Sequence, residues 1–106
     1  MNHVYQYNGY YISAKNKKEA LEYYLEENDE NVLIKYFKKQ DDESILDIML
    51  TENCYKDMES GDLNIPENNT KNYLGEDGYD DYTWMVSAKC GDWAKINDGF
   101  LCKEIE

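Results

Sequence analysis

Apolar and polar residues alternate along the first forty positions in a pattern that predicts their elements. Val4, Tyr5 and Tyr7 lead into Asn8-Gly9, and Tyr10, Tyr11, Ile12, Ser13 and Ala14 follow. Asn-Gly between two β-prone runs predicts a hairpin with a tight type I′ turn, because both residues tolerate a positive φ. Asn16-Lys17-Lys18-Glu19 then opens a helix from about Lys17 to Glu27. The Asn side chain accepts from the first free amides, and Glu19 is placed to reach back to the cap's own amide. Ala20, Leu21, Tyr24 and Leu25 form the inner face at helical spacing, while Glu19, Glu22 and Glu26 face water.

Beyond the helix the pattern is less decisive. Residues 32–38, VLIKYFK, read as a strand pairing with the hairpin. Asp41 or Asp42 is placed to cap a helix carrying Ile45, Ile48, Met49, Tyr55 and Met58, and this reading is favoured. The alternative is a strand over Ile45–Leu50, because periodicity does not arbitrate so short an apolar run. Residues 59–81 hold the single Pro, three Gly and four Asn, which predicts a long loop. Tyr82–Ala88 sets Trp84, Val86 and Ala88 against Thr83, Met85 and Ser87, as a half-buried strand does. Cys90-Gly91 and Asp98-Gly99 then read as turns around strands at Trp93–Ile96 and Phe100–Ile105, so residues 82–106 are expected as C-terminal strands. These elements predict one α+β domain over residues 1–106: an antiparallel sheet of four to six strands with one or two helices packed on one face.

Composition bears first on whether the chain folds. Leu, Ile, Val and Phe total 20 of 106 residues, a proportion that with high net charge signals disorder. The 11 Tyr and 2 Trp argue the other way, since a tyrosine supplies apolar area while its hydroxyl stays wet. A folded chain with a flexible middle is expected. Lys, Asn, Tyr and Ile make up 40 residues, all with A/T-rich codons, which suits a low-GC bacterium or its phage. No basic start with a long apolar run opens the sequence, so a cytoplasmic location in a bacterial host and no membrane contact are expected. Cys54, Cys90 and Cys102 are odd in number and fit no metal spacing, so they read as thiols.

Charge then locates the interest. The chain carries 23 acids against 11 Lys and no Arg, a net charge of −12. Residues 1–40 hold six acids and six lysines; residues 41–81 hold thirteen acids with only Lys56 and Lys71. The imbalance is therefore concentrated in the middle segment, where like charges oppose compaction. Such a stretch either solubilises the chain or docks on a basic partner.

Catalytic readings lack their residues. His3 is the lone imidazole, no phosphate-binding loop occurs, and Glu76-Asp77-Gly78-Tyr79-Asp80-Asp81 lacks the alternation and terminal Glu of a calcium loop. No enzyme, cofactor or metal is expected. Direct nucleic-acid binding is disfavoured too, because phosphate backbones are held by clustered Lys and Arg. Reversing the sign gives the sharper expectation: carboxylates stand where phosphates would, facing a partner's cations, with aromatics as desolvated anchors. The candidate partner-binding residues are Asp41, Asp42, Glu43, Asp47, Glu76, Asp77, Tyr79, Asp80 and Asp81, with Tyr73 and Tyr82 interleaved.

In size, acidity and composition the chain resembles the small acidic anti-defence proteins of phages and mobile elements, including anti-CRISPR proteins and DNA mimics. That resemblance implies a protein inhibitor occupying the basic nucleic-acid groove of an enzyme such as a CRISPR effector or another nuclease. It carries no residue roles. The alternatives are an immunity protein or antitoxin against a basic toxin, and a small structural or regulatory domain whose acidity serves solubility.

Overall fold

The computed structural model describes residues 1–50, 63–74 and 84–103. It shows an α+β fold with antiparallel sheets: β1 (His3–Tyr7), β2 (Tyr10–Ala14), α1 (Lys17–Glu27), a 3-10 turn (Ile34–Tyr36), β3 (Lys38–Lys39), β4 (Ile45–Leu50), β5 (Thr70–Tyr73), β6 (Trp84–Lys89), α2 (Cys90–Ile96) and β7 (Gly99–Lys103). The strands divide into two sheets, ordered β3-β1-β2-β7 and β4-β6-β5.

The hairpin and first helix form as their local signals predict. Asn8 and Gly9 turn with φ of 49° and 80°, and His3–Tyr7 pairs in register with Tyr10–Ala14. The Asn16 side chain accepts the Glu19 amide at 2.9 Å. Glu19 reaches back to the Lys15 amide, one residue before the cap rather than the cap itself. Ala20 and Tyr24 are buried, Leu21 is half-buried, and Leu25 turns out to solvent instead of joining the inner face.

One helix lies against each face of the four-stranded sheet. Under α1, a cluster of Tyr5, Ile12, Ala14, Ala20, Tyr24 and Phe37 is closed by Tyr7 and Tyr10. The Tyr24 ring meets Tyr7, Tyr10 and Phe37 edge-on, with centroids 5.1–5.8 Å apart. Its hydroxyl donates to Glu30 at 3.0 Å, and burial pushes the phenol's pKa up. This is the tyrosine arrangement the composition implies: an apolar ring inside and a polar tip at the rim.

The opposite face packs on α2 and the inner side of the three-stranded sheet. Val4 and Leu101 meet Leu46, Ile48, Leu50, Val86, Ala88, Trp93 and Ala94 there. Trp93 is fully buried, and its indole N–H donates to the Leu46 carbonyl at 3.0 Å. Ser13, also fully buried, presents its hydroxyl to the Asn97 carbonyl at 2.6 Å, just past the end of α2.

Four element assignments change. Residues 32–38 are not a strand: the chain makes a 3-10 turn at Ile34–Tyr36 and pairs with β1 only through Lys38 and Lys39. Residues 45–50 form a strand, not the favoured helix, because Leu46, Ile48 and Leu50 bury one face at period two; Tyr55 and Met58 lie outside the described residues. The span 59–81 contains β5, paired with β6, so its described part is not all loop. Cys90–Ile96 is a helix, replacing the turn at Cys90-Gly91 and the strand over Trp93–Ile96.

The segment before β5 packs Leu63 and Ile65 on the core and is tied to the end of α2 by the Asn64 side chain, which donates to the Ile96 carbonyl at 3.0 Å, and by the buried amide of Asn97. Asn97 takes the Asn64 N–H on its Oδ1 at 2.8 Å and returns an N–H to the Asn64 carbonyl at 2.9 Å. Its second amide hydrogen goes to the Trp93 carbonyl at 2.9 Å. Asn97→Ala leaves these groups without partners and is expected to cost about 1–3 kcal/mol. In urea titrations this is a lower midpoint at unchanged slope.

Candidate docking surface

Residues 40–44 carry three of the predicted partner-binding acids in a turn packed on the start of α2. Gln40 donates its amide to the Val4 carbonyl at 2.8 Å, fixing the approach from β3. The Asp41 carboxylate accepts the Glu43 amide at 2.9 Å, and its carbonyl accepts the Ser44 hydroxyl at 2.7 Å. An Asp side chain bonding a backbone amide two residues on is the usual driver of such turns.

The turn then caps the helix. Lys89 precedes α2 and offers no capping side chain. In its place the Ser44 carbonyl accepts the Cys90 amide at 2.8 Å, and the Asp42 carbonyl accepts the Gly91 amide at 2.9 Å. Free amides at a helix start need such acceptors, and nearby negative charge is favourable there. A Cβ on Gly91 would stand 3.0 Å from the Asp42 Cβ and 3.2 Å from its carbonyl oxygen, so any side chain there presses on the turn.

The acid side chains also have partners within the fold. His3 Nδ1 lies 3.1 Å from the Asp42 carboxylate, and Lys89 lies 2.7 Å from Glu43. Hydrogen bonding to Glu43, with its charge, raises the Lys89 pKa. Both members of that pair are well exposed, where ion pairs contribute little to stability. Lys39, Gln40, Asp41, Asp42 and Glu43 line a shallow, open depression. Asp41, Asp42 and Glu43 are thus brought together, but with structural work of their own. Asp47 stands apart on β4, exposed and opposite Ser87.

Glu76, Asp77, Tyr79, Asp80 and Asp81 lie outside the described residues, as does Tyr82. The strands do define where the chain carrying them is attached. Leu50 and Tyr73, the last residues of β4 and β5, both stand opposite Trp84, the first residue of β6. The chain therefore leaves β4, leaves β5 and enters β6 at one end of the three-stranded sheet. The described residues hold thirteen acids and ten lysines; the other ten acids, with only Lys56, fall in 51–62, 75–83 and 104–106.

Sequence reasoning missed an aromatic pair at this same end. The Tyr73 and Trp84 rings lie 5.0 Å apart, and Tyr73 remains 47% exposed. No local pattern marks this pair, because Tyr73 and Trp84 meet only through the register of β5 on β6.

The buried Cys90 thiol lies 3.9 Å from the Ser44 hydroxyl. Burial, with the charges of Asp42 and Asp41, pushes its pKa up although the Ser44 contact lowers it, which disfavours the reactive thiolate. Among the described residues no group of three or more His, Cys, Asp or Glu side chains is arranged to hold a metal ion, and no helix is long and apolar enough to cross a membrane. Comparison of the chain with protein-family models, curated proteins and solved structures returns no match.

Two outcomes are expected. Gly91→Ala should lower the melting temperature: overpacking costs about 1–3 kcal/mol, more than the gain of up to about 1 kcal/mol from alanine's helix propensity. Alkylation followed by peptide mass mapping should find Cys90 protected in the native protein and labelled readily in denaturant.

Proposed function

We propose that the chain is a non-enzymatic binding protein that docks its acidic middle on a basic protein surface, in the cytoplasm of a bacterial host. The observation that carries this reading is the attachment geometry. A near-balanced, well-packed body holds the strand ends Leu50, Tyr73 and Trp84 side by side. The sequence joined to those ends supplies Glu52, Asp57, Glu59 and Asp62 on one connection and Glu76, Asp77, Asp80 and Asp81 on the other, against Lys56 alone. Acidic runs joined to a near-balanced body supply a negative field that steers a basic partner and strengthens charge-assisted contacts on docking.

The partner class that fits is a nucleic-acid-handling enzyme, such as a CRISPR effector or another nuclease, whose groove is lined with Lys and Arg. Carboxylates in that groove would compete with phosphates for the same cations. An immunity protein or antitoxin against a basic toxin works by the same physics. The turn at Asp41, Asp42 and Glu43 is the weaker part of the surface, since its carbonyls and carboxylates already serve α2, His3 and Lys89.

Changing Asp77, Asp80 and Asp81 together to Asn is expected to abolish partner capture while melting temperature stays equal or rises, because like-charge repulsion is relieved. Capture from host lysate should enrich basic nucleic-acid enzymes at low salt and lose them at moderate salt. Recovery of none favours the solubility reading, and capture unaffected by the triple change shows that the cluster at Asp77, Asp80 and Asp81 is not the interface.

A further inference from the structure

We infer that a second copy of this chain docks on the open edge of β3, the two copies pairing antiparallel about a two-fold axis at Gln40. Among the described residues β3 pairs with β1 on one side and with no strand on the other. Lys39 stands opposite Tyr5, and the Gln40 amide donates to the Val4 carbonyl at 2.8 Å. Successive residues of an antiparallel ladder turn their backbone groups to alternate sides. Gln40 therefore faces β1, while the Lys39 amide and carbonyl and the Asp41 amide face the open side, a template for another strand.

Lysines on an edge ordinarily discourage such pairing, but the residues that follow them reverse this. Lys38-Lys39-Gln40-Asp41-Asp42 inverts its charge about Gln40. An antiparallel two-fold there sets Lys39 opposite the second copy's Asp41 and Lys38 opposite its Asp42, and symmetry repeats each pair. Lys39 and Asp41 are also the residues whose amides face that edge, so charge and hydrogen-bond register coincide. A slip of two residues sets Lys39 against Lys39 one way and Asp41 against Asp41 the other.

The groups concerned have room for these contacts. Lys38 and Lys39 are exposed and form no ion pair among the described residues. The Asp41 carboxylate accepts the Glu43 amide on one oxygen, leaving acceptor capacity, and Asp42 stays 46% exposed beside His3. Leu33, Ile34 and Tyr36 are exposed before β3 and Ile45 after the turn, so the same two-fold brings apolar flank towards apolar flank. The other edge strands lack this self-complementarity: β4, β5 and β7 each hold a single charged residue, Asp47, Lys71 and Lys103.

Sedimentation velocity of the full chain, from about 1 μM to about 1 mM at physiological salt, tests this. The wild type should pass from monomer to dimer mass within that range. Lys39→Asp sets like charges opposite and should raise the midpoint concentration about tenfold or more. Lys17→Asp makes the same change in net charge at the exposed start of α1 and should leave the midpoint in place. Asp41→Lys alone should weaken the dimer, and an equimolar mixture of Lys39→Asp and Asp41→Lys chains should restore it, because every lysine again meets a carboxylate. Should Asp41→Lys fail to fold, the comparison of Lys39→Asp with Lys17→Asp decides. A wild type that stays monomeric throughout, a dimer that survives Lys39→Asp or is weakened equally by Lys17→Asp, or a mixture of folded variants that stays monomeric overturns the inference. None of these results touches the acidic docking reading, which rests on other residues.

Discussion

The structure depends on one constraint: the first hairpin is apolar on both faces. Val4 and Tyr5 are consecutive and buried, as are Ile12, Ser13 and Ala14. Consecutive strand residues point to opposite sides, so the sheet must be covered twice. One cover is local, since α1 follows β2 directly and lays Ala20 and Tyr24 over Tyr5 and Ile12. The other comes from later in the chain, where α2 and the inner face of β4 and β6 close over Val4 and Leu101. The buried Ser13 hydroxyl is tolerable on that side because the chain leaving α2 supplies its acceptor.

That division explains what the sequence could disclose. The hairpin and α1 are written in adjacent residues: Asn8-Gly9 sets the turn, and Asn16 caps the helix it precedes. The second cover is not. A helix of seven residues with glycine at its second position has little stability alone, and its caps are backbone carbonyls from Asp42 and Ser44. Nothing near Cys90 announces a helix, because its N-terminal partners lie almost fifty positions earlier. The strand β4 was half-legible. Leu46, Ile48 and Leu50 alternate, yet Ile45, Ile48 and Met49 also sit at helical steps, and only pairing with β6 decides between them.

The same argument sorts the acidic residues. Composition placed them in the middle of the chain and could not separate those with structural partners from those without. Asp41, Asp42 and Glu43 form a turn whose backbone holds α2 and whose side chains meet a backbone amide, His3 and Lys89. Asp47 is exposed on a strand. That the chain leaves β4, leaves β5 and enters β6 at one sheet end follows only from Leu50, Trp84 and Tyr73 being neighbours. Register across a sheet is a long-range property, and no local pattern contains it.

The pairing of Tyr73 with Trp84 also bears on how this chain can change over generations. The connection from β5 to β6 starts and ends on facing residues, so its closure asks little of its length; doubling such a loop costs about 0.6 kcal/mol. Residues 75–83 can therefore be substituted, lengthened or shortened while the ladder that anchors them stays in place. A protein built this way can vary that connection without rebuilding its sheet.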